Sequence, residues 1–265
     1  MLIAQITDLH IKPKGRLVYG RFDTTRYLAA AVDRLNGLSP RPDIVLVTGD
    51  LVDAGSLEEY GRLRCELDRL GAPYRLIPGN HDARATLRES FADHAYLRGD
   101  PDFCHFVEEG WPLRLVGLDS LDPGRVDGLM CEARLAWLDR VLRAAPAAPT
   151  VVFIHHPPFT TGIAHMDALP MRGAEGLAAV IRAHPQVERV IAGHVHRAMS
   201  LRWAGTVCST CPSTAHQFAL DLDPGLPARW TSEPPGFHLH HWRPGAGLVT
   251  HAATIEPFAP QPLGG

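Results

Sequence analysis

The strongest constraint in this chain is positional: five clusters of polar residues each follow directly on a short apolar run. Asp8 and His10 follow Leu2–Ile6, Gly49-Asp50 follows Ile44–Thr48, and Gly79-Asn80-His81-Asp82 follows Tyr74–Ile77. His155-His156 ends Val151–Ile154, and Gly193-His194-Val195-His196 follows Val190–Ala192. Short runs rich in branched side chains suit buried strands. Between them lie segments with helical spacing, at Tyr27, Leu28, Ala31, Val32 and Leu35, at Tyr60, Leu63, Leu67 and Leu70, at Leu135, Leu138 and Leu142, and at Leu177, Val180 and Ile181. The second of these opens on a capping box, Ser56-Leu57-Glu58-Glu59, and is expected to stop at Gly71. Strands alternating with helices predict an α/β core, and such cores bind ligands beyond the C-terminal ends of their strands. Phe103–Val107 and Leu113–Leu118 read as a strand pair without a helix between them. From Met199 on, short strands and Pro/Gly turns predict a second sheet, with the Asp223–Gly236 stretch as an irregular excursion.

The clustered residue types are oxygen and nitrogen donors suited to Zn, Mn, Fe or Co. In extended backbone Asp8 and His10 point to one side, as do His194 and His196, so each pair could grip one ion. A single carboxylate such as Asp50 can bridge two ions about 3.5–4 Å apart. Other polar groups read more plainly. His238, His240 and His241 follow no strand-end glycine and are expected on a strand facing solvent or a partner. Cys208 and Cys211 form a lone C-x-x-C with no second pair, so buried or idle thiols are expected rather than a structural zinc. The net charge of −3 gives no basic field for polymeric nucleic acid. The apolar stretch Leu2–Ile6 is too short for a signal peptide or a membrane span, so a cytoplasmic protein without membrane attachment is expected.

Taken in order, Asp8-x-His10, Gly49-Asp50, Gly79-Asn80-His81-Asp82, His155 and Gly193-His194-x-His196 resemble the motif set of the calcineurin-like metallophosphoesterases, across most of residues 1–200. Within that family the chain is similar to bacterial glycerophosphodiesterases and class III cyclic-nucleotide phosphodiesterases. The resemblance implies a sandwich of two β-sheets flanked by helices, in the order α/β/β/α. It implies two divalent or iron ions, drawn from Mn, Fe, Zn and Co. One would be held by Asp8, His10, Asp50 and His196, the other by Asp50, Asn80, His155 and His194. The resemblance selects His155 over His156, and places His216, in Thr214-Ala-His-Gln217, toward substrate.

The expected reaction is hydrolysis of small phosphodiesters, glycerophosphodiesters or cyclic nucleotides, by a hydroxide bridging the two ions. Asp50 and His81 are the expected catalytic residues, and Asn80, His81 and His216 the substrate contacts. Asp82 is expected to orient His81 or a ligand. No G-x-S-x-G elbow occurs, so no serine nucleophile is expected. The alternatives are a phosphomonoesterase, a nucleotide-anhydride hydrolase, or a non-catalytic scaffold on the same fold. Residues 1–205 are expected to form the catalytic core. Residues 206–265 are expected to complete it in part and to supply a cap or dimer contact in a homo-oligomer, dimer or higher.

Overall fold

In the computed structural model of the chain, which describes residues 1–259 and 261–263, the apolar runs become strands whose parallel pairing stacks the polar clusters along one edge. The elements run β1 (Leu2–Ile6), α1 (Thr24–Asn36), β2 (Ile44–Thr48), α2 (Leu57–Leu67), β3 (Tyr74–Ile77), α3 (Arg84–Ser90), β4 (Phe106–Glu108) and β5 (Arg114–Gly117). They continue with α4 (Glu132–Arg143), β6 (Thr150–Phe153), α5 (Ala164–Asp167), α6 (Ala174–Ala183), β7 (Val187–Ala192), β8 (Met199–Trp203) and β9 (Thr206–Thr210). The last are β10 (Gln217–Phe218), β11 (Trp230–Thr231), β12 (Gly236–Arg243) and β13 (Gly247–Thr254). The Ser56 capping box forms as expected, with Ser56 N donating to Glu59 Oε2 at 3.0 Å. The helix it opens ends at Leu67 rather than Gly71, because Arg69 N and Leu70 N turn to Glu66 O and Leu67 O, three residues back instead of four.

Two sheets face each other. One has the order β13-β12-β1-β2-β3, the other β4-β5-β6-β7-β9-β8. Strands β1, β2 and β3 are parallel, as are β5, β6, β7 and β9, so all of them end at the same side of their sheet. Ile3, Ile44, Leu46 and Ile77 pack across the gap against Leu115, Val151, Phe153 and Ile191. Leu28, Val32 and Leu35 of α1 and Tyr60, Leu63 and Leu67 of α2 cover the outer face of the first sheet. Leu138 and Leu142 of α4 and Leu177 and Ile181 of α6 cover the second. This is the α/β/β/α sandwich that the resemblance implies, built on the α/β core that the alternation predicts. Among the described residues no helix is long and apolar enough to cross a membrane.

Two expectations need correction. The strand-rich tail is divided: among the described residues only β10 and β11 pair in a small two-stranded sheet of their own. Strands β8 and β9 extend the second sheet, while β12 pairs antiparallel with β1 and carries β13 beside it in the first. His238 and His240 consequently do not face solvent. They alternate inward on β12, next to the inward-facing Ile3 and Gln5 of β1, and both are buried. His240 Nε2 lies 3.1 Å from Gln5 Oε1, while Gln5 Nε2 donates to Ala192 O of the opposite sheet at 3.0 Å. Only His241 turns outward. The cysteines fit the plainer reading: Cys208 and Cys211 are buried free thiols, pushed above the ordinary thiol range by that burial.

Candidate metal centre

The loops after β1, β2, β3, β6 and β7 converge because their backbones are tied together. Asp8 N donates to Gly49 O and His10 N to Asp50 O, both at 3.0 Å, and Gly193 N donates to His155 O at 2.9 Å. Local conformation then aims the side chains. Of the seven non-glycine residues with positive φ among the described residues, five are Asp8 (53°), His10 (44°), Asp50 (48°), His194 (72°) and His196 (50°). Left-handed backbone is strained for residues with a Cβ, and such strain concentrates at functional sites. Strand alternation therefore does not set these directions, contrary to the extended reading. Its expectation that His194 and His196 grip one ion together fails. His196 joins Asp8 and His10, while His194 joins His155 and His156, the donor atoms in each trio lying within 4.8 Å of one another.

Asp50 stands between the two groups. Its Oδ2 lies 3.6 Å from His10 Nε2 and its Oδ1 3.3 Å from His155 Nε2. Oδ1 also accepts from His81 N at 3.0 Å. Both oxygens of Asp8 accept from His194 N, at 3.1 and 3.0 Å. Asn80 Oδ1 is 3.2 Å from His155 Nε2, and the Nε2 atoms of His10 and His196 are 3.1 Å apart. The second ring nitrogens explain this convergence. His155 Nδ1 donates to Thr48 O at 2.8 Å, and His196 Nδ1 to His216 O at 3.0 Å, which turns each Nε2 toward the centre. His156 is disposed differently. Ser120 Oγ lies 2.7 Å from its Nδ1 and Val126 O 3.1 Å from its Nε2, so both nitrogens are engaged by the protein.

Burial and mutual charge set the protonation of the donors. Burial pushes Asp8 up to about 7, with His155 pulling the other way. Burial would also raise Asp50, but the charge and hydrogen bond of His155, with His10 and His81, hold it well below the carboxylate range. Burial would lower His155, and Asp50 and Asp8 overcome it, lifting His155 to about 9. Burial drives His10 and His194 down to about 3 and His196 down as well, so these rings are neutral. Two buried carboxylates facing neutral imidazole lone pairs form an oxygen–nitrogen donor set that fits divalent ions.

Asp82 does not touch the His81 ring. Its Oδ2 accepts from Gly79 N (2.8 Å) and Leu51 N (3.1 Å), and its Oδ1 from Tyr60 Oη (2.9 Å), so it braces the turn that carries Asn80. The His81 ring is fixed by Asp53, whose carbonyl accepts from His81 Nδ1 at 2.8 Å. Sequence reasoning missed Asp53; its one signal was its place in the loop that opens with Asp50. It also missed Ser120, for which the sequence offers no signal. The ring of His216 lies 4.6 Å from that of His196 and 5.1 Å from that of Tyr19, centroid to centroid, and is pushed down to about 4 by burial. His216, His81 and Asn80 line a cavity of about 500 Å³, whose floor also carries His10, Asp50, His194 and His196.

Fold, strand-end donors and cavity together define a metal-dependent phosphoesterase architecture, and residues 1–198 match the calcineurin-like phosphoesterase family. The chain belongs to that family. It is 38% identical over 259 residues to a probable glycerophosphodiester phosphodiesterase of Arcobacter nitrofigilis, covering 97% of this chain and 94% of that one. It is 38% identical to a probable cyclic nucleotide phosphodiesterase of Synechococcus, covering 88% of each chain. Among solved structures, a dimetal phosphatase from Danio rerio shares the fold with a TM-score of 0.69 at 18% identity, covering 97% of this chain and 99% of that one.

Proposed function

We propose that this chain is a binuclear metal-dependent phosphodiesterase acting on small diesters such as glycerophosphodiesters or cyclic nucleotides. The observation that carries the reading is Asp50, one carboxylate with an oxygen toward each of two donor groups. Asp8, His10, Asp50 and His196 would hold one ion, and Asp50, Asn80, His155 and His194 the other, with Mn, Fe, Zn or Co as the metals. When bound, the two cations supply a nucleophile from water near neutral pH and offset charge on the phosphoryl oxygens.

The chain's own residues do the rest. Asn80, His81 and His216 border the space that the phosphoryl group enters. With Nδ1 committed to Asp53 O, His81 offers Nε2 to a phosphoryl or leaving oxygen. Burial opposes a charge on this ring, but Asp50, the Asp53 carbonyl and nearby carboxylates outweigh it and raise its pKa, which favours proton donation. Ser120 and Val126 keep His156 out of the reaction.

Monoesters and anhydrides bring extra negative charge, and the cavity offers it little. Lys12 is the only Lys or Arg lining it among the described residues, and Lys12 pairs with Asp53. Arg84 is bound to Asp119, and Arg197 to Phe218 O and Glu233. The similarity to two named phosphodiesterases supports the diester reading. Residues 206–265 would complete the core through β9 and β12 and border the site through Phe218. A homo-oligomer is supported by the eight-residue edge strand β13, which pairs with β12 alone among the described residues. The odd set of five cysteines supports a cytoplasmic setting. The test is elemental analysis with kcat/KM for bis(p-nitrophenyl) phosphate against p-nitrophenyl phosphate, then for natural diesters against their monoester products. The expected result is two ions per chain and a diester preference. A monoester preference across these pairs, or full activity without metal, overturns the reading.

A further inference from the structure

The cavity changes character between floor and mouth. Its floor is the donor set. Its outer wall is apolar and comes from four separate parts of the chain: Leu17 and Tyr19 before α1, Val126 after β5, Met166 and Leu169 at α5, and Phe218 on β10. Leu17, Tyr19, Val126 and Leu169 are 41, 54, 50 and 43% exposed. Single exposed apolar side chains need no explanation, but four gathered on one polar-floored cavity mark a binding surface.

The wall is also braced. The Tyr19 ring lies parallel to Trp230 at 5.8 Å and edge-on to His216 at 5.1 Å, and Trp230 meets Phe22 edge-on at 5.1 Å. Aromatic pairs of this kind hold a flat surface in place before a ligand arrives.

We propose that this outer half is a subsite for a planar, apolar ester group of the diester, in preference to a polyol or charged one. The inference rests on the phosphodiesterase reading above. An ester carrying hydroxyls would find at the wall, among the described residues, only the Tyr19 hydroxyl and the unpartnered ring nitrogens of His165 and His216, and would lose water against six apolar side chains. Beyond the donor floor, the one cation among the described lining residues, Lys12, is already paired with Asp53. A flat apolar group instead buries its faces against Tyr19, Leu169 and Phe218 while the phosphoryl group stays over the donors. The volume of about 500 Å³ holds a phosphoryl group and one ring together.

The test has two readouts on the metal-loaded protein. Calorimetry compares phenylphosphonate, methylphosphonate and glycerol 1-phosphate as ligands. Hydrolysis compares glyceryl benzyl phosphate with diglyceryl phosphate by kcat/KM, two diesters whose leaving alcohols are of similar acidity. Phenylphosphonate should bind about tenfold or more tightly than methylphosphonate, and the benzyl diester should lead by a similar factor. Both ratios should fall in Leu169→Ser and in Tyr19→Ala, in protein whose circular dichroism and melting match the parent. Equal affinities for the two phosphonates in the parent overturn the proposal without any variant, as does a lead for the polyol ester. If no diester is hydrolysed yet phenylphosphonate still binds more tightly, the function reading falls and the subsite stands. If diesters are hydrolysed without preference, the subsite falls alone.

Discussion

Gly79→Ala isolates the packing of the candidate metal centre from its chemistry, because it adds one methyl group and removes no donor. A Cβ at Gly79 would lie 2.3 Å from both Asp50 N and Asp50 Oδ1, and 2.8 Å from His155 Nε2. Real Cβ contacts essentially never fall below 3.0 Å, so the Asp50 atoms or the turn must give at least 3.0 − 2.3 = 0.7 Å. Neither side yields easily. Asp50 O accepts from His10 N, and the Gly79 turn is fastened by Asp82 through Gly79 N. Overpacking of this kind costs about 1–3 kcal/mol, which in a chain of this size lowers Tm by about 2–12 °C at roughly 2–4 °C per kcal/mol. The functional effect should be larger. A shift near 1 Å in a catalytic group costs about 10²-fold in rate, and Asp50 faces both donor groups. The assay is metal content per chain, kcat on bis(p-nitrophenyl) phosphate, and thermal unfolding. Gly61→Ala is the control: this glycine lies inside α2 with no atom within 4 Å of its would-be Cβ, so stability should hold or rise by about 0.5–1 kcal/mol. Gly79→Ala protein that keeps two ions and a kcat within about threefold of the parent would refute the argument that this glycine moulds the centre.

Asp50→Ala should reduce metal content toward one ion or none and lower turnover more than Asp8→Ala or His10→Ala does; a variant with two ions per chain and near-parent turnover contradicts the bridging assignment. His81→Ala should keep both ions and lose about 10²–10⁴-fold in kcat on substrates with poor leaving groups, less with p-nitrophenolate; equal losses on both would assign His81 a purely electrostatic role. In the metal-free chain both Asp8 (3.8 to about 7) and His155 (6.5 to about 9) are raised, so at these two groups the folded state holds more protons than the unfolded one. Stability from these groups is present at low pH and declines as pH climbs through about 7 and then about 9. Metal ions displace the same protons, so affinity should rise by about tenfold per pH unit per proton released between pH 7 and 9, by competition titration; a flat profile rejects this proton count.

The five strand-end clusters were legible because each donor sits within a few residues of an apolar run, so local pattern alone locates it. The capping box and the parallel strands were legible for the same reason. What local pattern could not supply is the identity of distant partners. His240 reads as an outward strand residue until β12 is placed beside β1, more than two hundred residues away in sequence, with Gln5 Oε1 ready to accept a hydrogen bond from its Nε2. The division of His194 and His196 between two groups, which the resemblance implied, was hidden from spacing alone because it depends on left-handed backbone at non-glycine residues, which composition does not announce. Asp53 and Ser120 act on His81 and His156 through a carbonyl and a hydroxyl, and neither group forms a motif.

The left-handed donors also link stability to metal binding. A residue with a Cβ in that region costs about 1–2 kcal/mol, and the chain accepts the cost at Asp8, His10, Asp50, His194 and His196 together. Part is offset locally. Ser213 Oγ donates to Asp8 O and Thr24 Oγ1 to His10 O, both at 2.8 Å, each fixing a strained peptide from a different part of the chain. Asp8 and Asp50, buried close together, add repulsion that the amides of His194 and His81 and the ring of His155 offset only in part. Bound cations relieve that repulsion only in the folded state, because only the folded chain brings the loops together. Metal affinity is therefore folding free energy at this edge of the sandwich, and the strain that aims the donors is tolerable because ion binding and the fold depend on the same conformation.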